Sequence, residues 1–379
     1  MRFMQADRQT CDRLLPGLRA ELEGLPLAAL EAEGGPAMEL FRAHGGSNLL
    51  VPKAYGGLDA DALEATRVVR VLGSLSPSLA VATAMHHFSI GTLFGIADTF
   101  AKDTDLDGLL LERVAGERML VASGFAEGRS GQGILSPTME AVPVEGGYLL
   151  NGSKKPCSLS KSMDLLTASV GMRQADGSVE MGFLLLPATT PGISVHPFWS
   201  NPALAGAQSN EVRLTDVFVT DSQILKPPAE YAQALSELQE VGLIWFQMIT
   251  CAAYTGVVSA LVEQVLLRSR ASADRRAAVA VRVESAAALT EGLARRVMDG
   301  DTGNDGLAAA LVTRYTVKDL LAATVTEAVE LLGGMSYISS GDVSYLATAS
   351  HALAFHPPSR GGMTDALLDY YAGQPLVVA

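Results

Sequence analysis

The sequence predicts an α+β protein of three successive domains: a helical domain, a small antiparallel β-barrel or sandwich, and a second helical domain. Three observations predict this plan. Leucines recur at helical spacing near the N-terminus, short strand-like runs follow residue 119, and long helical runs return after residue 229. We place the domains at residues 1–116, 117–226 and 227–379.

The N-terminal domain is predicted from apolar periodicity. Its first leucines share one helical face: Leu14, Leu15, Leu18, Leu22 and Leu25. A turn at residues 52–57 interrupts the pattern, which resumes over residues 59–73. The apolar stretch 76–91 contains His86 and His87, and it predicts a buried helix whose two imidazoles make ordinary hydrogen bonds.

The middle domain is organised around residues 126–160. A loop with Gly128, Gly131 and Gly133 precedes two apolar runs, and Glu-Gly-Gly at residues 145–147 between those runs predicts a hairpin. The glycines permit tight turns and expose N–H groups that can contact a phosphate. Further strands are predicted at residues 165–170, 179–186, 212–214 and 217–219.

The C-terminal domain contains four predicted helices. They cover residues 253–267, 277–298, 307–332 and 346–355. The third helix ends at Gly333 and Gly334, as is typical of a helix C-terminus, and Pro357 and Pro358 stop the fourth.

Composition excludes several classes of function. The net charge of −13 argues against a nucleic-acid partner and against an anionic membrane surface. The three cysteines are far apart, which favours neither a disulfide framework nor a metal site. We find no apolar run that predicts membrane insertion and no signal peptide, so a cytoplasmic location is expected.

Two separated motifs resemble one known family. Glu127 and Gly131 precede Gly-Tyr-Leu-Leu-Asn-Gly-Ser-Lys at residues 147–154, and Glu-Leu-Leu-Gly-Gly-Met-Ser-Tyr follows at residues 330–337. In this order and at this separation they resemble the acyl-CoA dehydrogenase family over nearly the whole chain. The resemblance implies bound FAD, a middle antiparallel β-barrel, a C-terminal four-helix bundle, and a homodimer or homotetramer.

The same resemblance implies which residues hold the FAD. Backbone N–H groups of Phe125 and Ala126 would face the pyrimidine oxygens, and Ser158 would lie near the reactive nitrogen of the flavin. Pro156 replaces the family's aromatic shield, which is a departure from the pattern. Gly131 and Gln132 would contact the cofactor and the thioester, and Arg270 would contact the pyrophosphate. Across a subunit interface, the adenine half would contact Glu330, Gly333 and Gly334.

The general base of the family has no counterpart here. Desaturation of a thioester needs a carboxylate that removes the α-proton. The family's two positions for it fall on Pro357 and near Gln247, neither of which is a base. Glu240 lies about a turn and a half upstream, and His356 adjoins the vacated position and is expected to act as acid or base near neutral pH. Arg360 is expected to hold an anionic intermediate or a carboxylate.

Three functions follow as alternatives. The first is dehydrogenation of an acyl thioester on CoA or an acyl carrier protein, with electrons passed to a partner. The second is a flavin monooxygenase on the same fold, which uses O₂ and draws on His86, His87 and His356. The third is a binding protein of this fold that has lost its flavin.

Overall fold

The computed structural model describes residues 1–100, 112–128, 137–173, 177–225 and 232–378. Gly131 and Gln132, which are predicted to contact the cofactor, lie outside these ranges. Within them the three-part plan is confirmed: helices come first, a sheet follows, and helices return.

The N-terminal part contains six helices whose bounds are described, and residues 112–116 are also helical. They are α1 (Gln5–Leu14), α2 (Leu18–Glu23), α3 (Leu27–Leu30), α4 (Ala37–Ala43), α5 (Ala62–Leu75) and α6 (Pro77–Phe100). Asp61 caps α5 by accepting a hydrogen bond from the Glu64 backbone N–H, and the Glu64 side chain accepts one in return, which fixes where this helix begins.

The middle part is one mixed sheet of eight strands. They are β1 (Val121–Gly124), β2 (Glu140–Val144), β3 (Gly147–Cys157), β4 (Leu165–Arg173), β5 (Val179–Pro187), β6 (Ile193–His196), β7 (Asn210–Val219) and β8 (Ile224–Leu225). Their order is β6-β7-β3-β2-β4-β5-β8, and β1 pairs with β4. The predicted hairpin is confirmed, because Val144 pairs with Gly147 and Gly146 takes a φ of 82°.

The expectation of a purely antiparallel sheet is wrong for two strand pairs. β1 and β2 each run parallel to β4, with Val121 opposite Leu165 and Glu140 opposite Gly171. Parallel pairing joins strands that are distant in sequence, so the local apolar pattern carries no sign of it.

The C-terminal part contains three long helices and three short ones. They are α7 (Ala232–Arg268), α8 (Ala273–Met298), α9 (Asn304–Leu332), α10 (Gly334–Ser339), α11 (Gly341–Ser350) and α12 (Thr364–Tyr371). The central helix α7 packs against α5, α6, α8 and α9.

One expectation about membranes needs correction. The segment Gln239–Arg268 of α7 is long and apolar enough to cross a bilayer, although no such run was expected. Of its most apolar window, 83% is buried within the protein, as in the core helix of a bundle.

Candidate active site

The two positions at which the family resemblance places a base lie side by side. Gln247 extends from α7, and Pro357 follows the short helical turn His351–Phe355. Gln247 Nε2 donates a hydrogen bond to the Pro357 carbonyl oxygen at 3.2 Å. An amide and a prolyl carbonyl therefore occupy the region where a carboxylate would be needed for proton removal.

Behind these two residues lies Arg314 of α9, which is only 2% exposed. Its guanidinium donates to Gln247 Oε1 at 2.7 Å, to the Leu353 carbonyl at 2.6 Å and to the His356 carbonyl at 2.6 Å. Its Nε–H has no acceptor within the described ranges. Burial lowers the pKa of Arg314, but a guanidinium retains its charge in proteins.

Sequence reasoning missed Arg314, although a signal existed. It shares the buried face of α9 with Leu307, Leu311, Val317 and Leu321, at the spacing of an apolar stripe. A lone arginine on such a stripe indicates a buried cation that needs specific acceptors.

His356 is half-buried and packs among aromatic rings. Its Nε2 lies 2.9 Å from the hydroxyl oxygen of Tyr254, and its ring centroid is 5.8 Å from that of Phe246. Phe246 in turn contacts Phe88 of α6 edge to face, at 5.5 Å between centroids. Burial, and then the charge of Arg314, lower the pKa of His356 to about 3. With this pKa the ring is neutral near pH 7, and its role as acid or base stays a prediction.

The predicted flavin-side residues meet at the ends of β1 and β3. The Lys155 backbone N–H donates to the Ala126 carbonyl at 2.8 Å, and the Phe125 ring lies 6.0 Å from that of Phe183. Ser158 is buried, with its hydroxyl oxygen 2.9 Å from that of Ser209. One hydrogen lies between the two hydroxyl oxygens, so the pair retains a second hydroxyl hydrogen for another acceptor. Pro156 is exposed beside them.

A buried ion pair joins Glu127, which lies just before residues 129–136, to Lys154 of β3. Lys154 Nζ lies 2.8 Å from Glu127 Oε1 and donates to the Ser169 carbonyl at 2.7 Å. The Glu127 carboxylate also accepts from the Thr138 and Met139 backbone N–H groups at 2.9 and 3.2 Å. Burial raises the pKa of Glu127, but the hydrogen bonds from Lys154 and Thr138 outweigh burial and lower this pKa to about 2. The pair thus fixes the two backbone segments that flank residues 129–136.

The other predicted catalytic residues are engaged elsewhere. Glu240 accepts a hydrogen bond from Asn304 Nδ2 at 3.1 Å, at the first residue of α9. Arg360 pairs with Asp319 at 2.6 Å and donates to the Tyr315 carbonyl at 2.7 Å. Their catalytic roles stay predictions, and both side chains already have a partner in the fold.

The predicted adenine and pyrophosphate contacts lie on the surface near the end of α9. Gly333 ends α9 with a φ of 83°, which explains why this position is glycine. Gly334 has ordinary dihedral angles, and a Cβ there would meet no atom within 4 Å. Glu330 pairs with Arg275 at 3.3 Å, and Arg270 is exposed between α7 and α8. Gly334 therefore leaves room for a group outside this chain to approach.

The two adjacent histidines of α6 differ in their surroundings. His86 is fully bonded, since its Nε2 lies 2.8 Å from the Ser47 carbonyl and its Nδ1 accepts from the Val121 N–H at 3.1 Å. For His87 the expected ordinary hydrogen bonds are absent among the described residues: neither ring nitrogen has a partner, and the ring packs against Phe41. Burial lowers the pKa of both imidazoles.

A cavity opens between the sheet and the C-terminal helices. Its volume is about 310 Å³, and its walls include Trp199 and Leu204 from the β6–β7 connection and Tyr337 and Phe355 from the helical part. Phe355 is 85% exposed at its rim. Within the described ranges the lining of this cavity includes none of the residues predicted to hold the flavin.

Comparison with known proteins gives three informative similarities. No family model matches the chain. Isobutylamine N-hydroxylase of Streptomyces viridifaciens is 51% identical over 378 residues, covering 100% of both chains. L-prolyl-[peptidyl-carrier protein] dehydrogenase of Serratia is 21% identical over 77% of each. The structure of FMN-bound TdsC from Paenibacillus superposes with a TM-score of 0.80 at 16% identity, covering 100% of this chain and 99% of that one.

Proposed function

Because this chain belongs to the acyl-CoA dehydrogenase superfamily, we propose that it is a flavin-dependent monooxygenase that N-hydroxylates a small aliphatic primary amine. The single observation that carries the proposal is the contact between Gln247 and Pro357. It places neutral groups at both positions where a dehydrogenase would need its base. Similarity over the full length to an isobutylamine N-hydroxylase supplies the substrate class.

The chemistry explains why a base is dispensable. Removing a proton from carbon requires a strong, positioned carboxylate. An amine nitrogen already has a lone pair that can accept oxygen, so no carbon acid has to be ionised. The balanced reaction is RNH₂ + O₂ + 2H⁺ + 2e⁻ → RNHOH + H₂O, with the electrons supplied by a reduced flavin.

The described residues fit a flavin at the end of the sheet. The Ser158–Ser209 pair offers a hydroxyl hydrogen to a ring nitrogen, and Gly334 leaves space for a cofactor shared with a second subunit. When bound, the reduced flavin supplies the electrons that activate O₂. Phe88 and Phe246 pack edge to face next to His356, which Tyr254 orients, and this apolar pair would exclude water from an amine nitrogen bound there.

The alternative, desaturation of a thioester on CoA or an acyl carrier protein, has weaker support. It rests on the 21% identity to the prolyl dehydrogenase. The described residues place no carboxylate at Gln247 or Pro357 to remove an α-proton.

One experiment separates these functions. Purified protein is mixed with reduced FAD or reduced FMN, isobutylamine and ¹⁸O₂, and the product is analysed by mass spectrometry. We expect isobutylhydroxylamine carrying one ¹⁸O atom. Anaerobic reduction of bound flavin by an acyl thioester, without amine oxidation, would instead establish the dehydrogenase. Protein that binds neither FAD nor FMN would establish the flavin-free alternative.

A further inference from the structure

We propose that Arg314 makes this site select the neutral form of its amine substrate, so that binding strips the ammonium ion of its proton. The inference rests on the proposed function and specifies the protonation state of the substrate. It comes from a fixed positive charge placed beside Gln247 and Pro357, with no negative charge to balance it.

The charge of Arg314 is held by neutral acceptors alone. All its described hydrogen bonds go to an amide oxygen and to backbone carbonyls, those of Gln247, Leu353, His356 and Pro357. No carboxylate in the described part of the chain forms an ion pair with it. Removing a cation from water is costly, and neutral dipoles recover part of that cost while leaving its field uncancelled.

The titratable groups around Arg314 do not supply the missing negative charge. Cys251 and Tyr254 face it from α7, Tyr315 from α9, and His356 from the loop. Burial raises the pKa of Cys251 to about 12 and also raises those of both tyrosines, so all three are neutral at physiological pH.

Glu240, about two turns upstream of Gln247 on α7, accepts from Asn304 and is not among the groups that shift the pKa of Arg314. Two other acidic groups farther out have cationic partners. Asp319 of α9 pairs with Arg360 and Lys318, and Glu327 pairs with Arg275 and Arg282 of α8. His351 precedes the loop and is exposed. The guanidinium of Arg314 is therefore the charged group that directly contacts both Gln247 and Pro357.

The field of this guanidinium opposes an ammonium ion. An alkylamine has a pKa near 10, so it is almost fully protonated in water at pH 8. A site that binds ammonium ions supplies a carboxylate, whereas this one presents a cation and the aromatic wall of Phe88 and Phe246. The neutral amine is also the form whose nitrogen has the lone pair needed for hydroxylation. The proton leaves the ammonium nitrogen for the solvent, and no electron is transferred in this step.

Isothermal calorimetry measures the proton directly, without turnover. Isobutylamine is titrated into the flavin-free and flavin-loaded protein at pH 8 in two buffers with different ionisation enthalpies. We expect release of about one proton per amine bound, and affinity that rises about tenfold per pH unit from pH 7 to 9. Isobutanol, which is never charged, is expected to bind with no proton release and no pH dependence.

Gln247→Glu tests the role of the charge. The new carboxylate would accept from Arg314 as the amide oxygen does, and it would cancel the field. Proton release should then fall below half of the wild-type value at pH 8. Gln264→Glu is the matched control: it adds the same charge to α7 about 25 Å away and should leave proton release unchanged.

The outcomes separate this inference from the proposed function. Amine binding without proton release in the wild-type protein would overturn the inference and leave N-hydroxylation standing. Unchanged proton release in a folded Gln247→Glu variant would remove Arg314 from the explanation. Absence of amine binding under all conditions would overturn the proposed function together with the inference.

Discussion

The hydroxyl oxygen of Tyr254 lies 2.9 Å from Nε2 of His356, and this contact joins the central helix α7 to the loop that carries Pro357. Burial raises the pKa of Tyr254, so its phenol keeps a proton to donate. We therefore assign Nε2 as the acceptor, which leaves the ring proton of the neutral histidine on Nδ1. Nδ1 is then the nitrogen that can donate to a group in the site.

Tyr254→Phe should uncouple His356 from α7. The change leaves a buried ring nitrogen without its donor, which costs about 1–3 kcal/mol of unfolding free energy, and it frees the imidazole to rotate. We expect kcat for hydroxylation to fall at least about tenfold while KM for the amine changes little. Urea unfolding and steady-state kinetics measure the two effects.

Tyr315→Phe is the control for that variant. Tyr315 also donates its phenol to the same loop, at the Pro358 carbonyl and 3.1 Å away, but it does not contact the imidazole. It should lose similar stability and retain most of kcat. Equal losses of kcat in the two variants would show that Tyr254 merely holds the loop in place.

His87→Leu should stabilise the protein at neutral pH. Both nitrogens of this fully buried ring lack partners among the described residues, so folding removes them from water without compensation. An apolar side chain of similar volume is expected to raise the unfolding free energy by about 1–2 kcal/mol. Loss of hydroxylation in a folded, stabilised variant would instead give His87 the role in oxygen chemistry that the monooxygenase reading assigns to it.

The pH dependence of that variant has a definite sign. Burial, and then His86, hold the pKa of His87 well below its ordinary value, so the unfolded chain binds a proton that the folded chain does not. The stability of the wild-type protein relative to His87→Leu must fall as pH drops below about 6.5, by up to about 1.4 kcal/mol per pH unit. Urea unfolding of both proteins from pH 8 to 5 measures this difference. The carboxylates that both proteins share contribute equally to the two unfolding free energies, so their contribution cancels in the difference. Parallel curves would show that His87 is paired or exposed.

Local sequence signals predicted the parts of the fold that local chemistry decides. Gly146 and Gly147 marked the hairpin, and Gly333 marked the end of α9, because positive φ favours glycine at such turns. The parallel pairing of β1 with β4 and the contact between Gln247 and Pro357 join residues far apart in sequence. No periodicity or motif encodes such contacts, which depend on how whole elements pack.

The candidate site was predicted in outline and missed in detail. The family resemblance located the two vacated base positions, and His356 was predicted as a proton carrier because it adjoins one of them. Burial and the charge of Arg314 lower the pKa of His356 to about 3, which keeps the ring neutral near pH 7. Arg314 was missed, although it lies on the apolar stripe of α9, where a lone arginine indicates a buried cation.

Gly256→Ala should destabilise the crossing of α5 and α7. A Cβ at Gly256 would come within 2.1 Å of the Arg70 carbonyl oxygen, and one at Gly73 within 2.1 Å of the Ala253 carbonyl oxygen. Backbone atoms cannot yield as a flexible side chain does, so the two helices must separate. We expect a loss of about 1–3 kcal/mol or more in urea unfolding.

Gly292→Ala provides the contrast on α8. A Cβ there meets no atom within 4 Å, and alanine favours the helix over glycine, so stability should rise by about 0.5–1 kcal/mol. A gain of stability in both alanine variants would contradict the close approach of the α5 and α7 backbones at Gly73 and Gly256.

Lys154→Met should be among the most damaging substitutions in the sheet. Its ammonium is fully buried and pairs with Glu127, whose side chain is 5% exposed, so its removal takes the Lys154 cation away from a buried carboxylate. Loss of one partner of such a pair costs about 3–5 kcal/mol. Lys161→Met, which breaks the exposed pair with Glu33, should cost at most about 1 kcal/mol.

The double variant Lys154→Met, Glu127→Gln should recover much of the loss, because the amide oxygen can still accept from the Thr138 and Met139 N–H groups without carrying charge. Additive losses in this cycle, measured by urea unfolding, would mean that the two side chains do not interact.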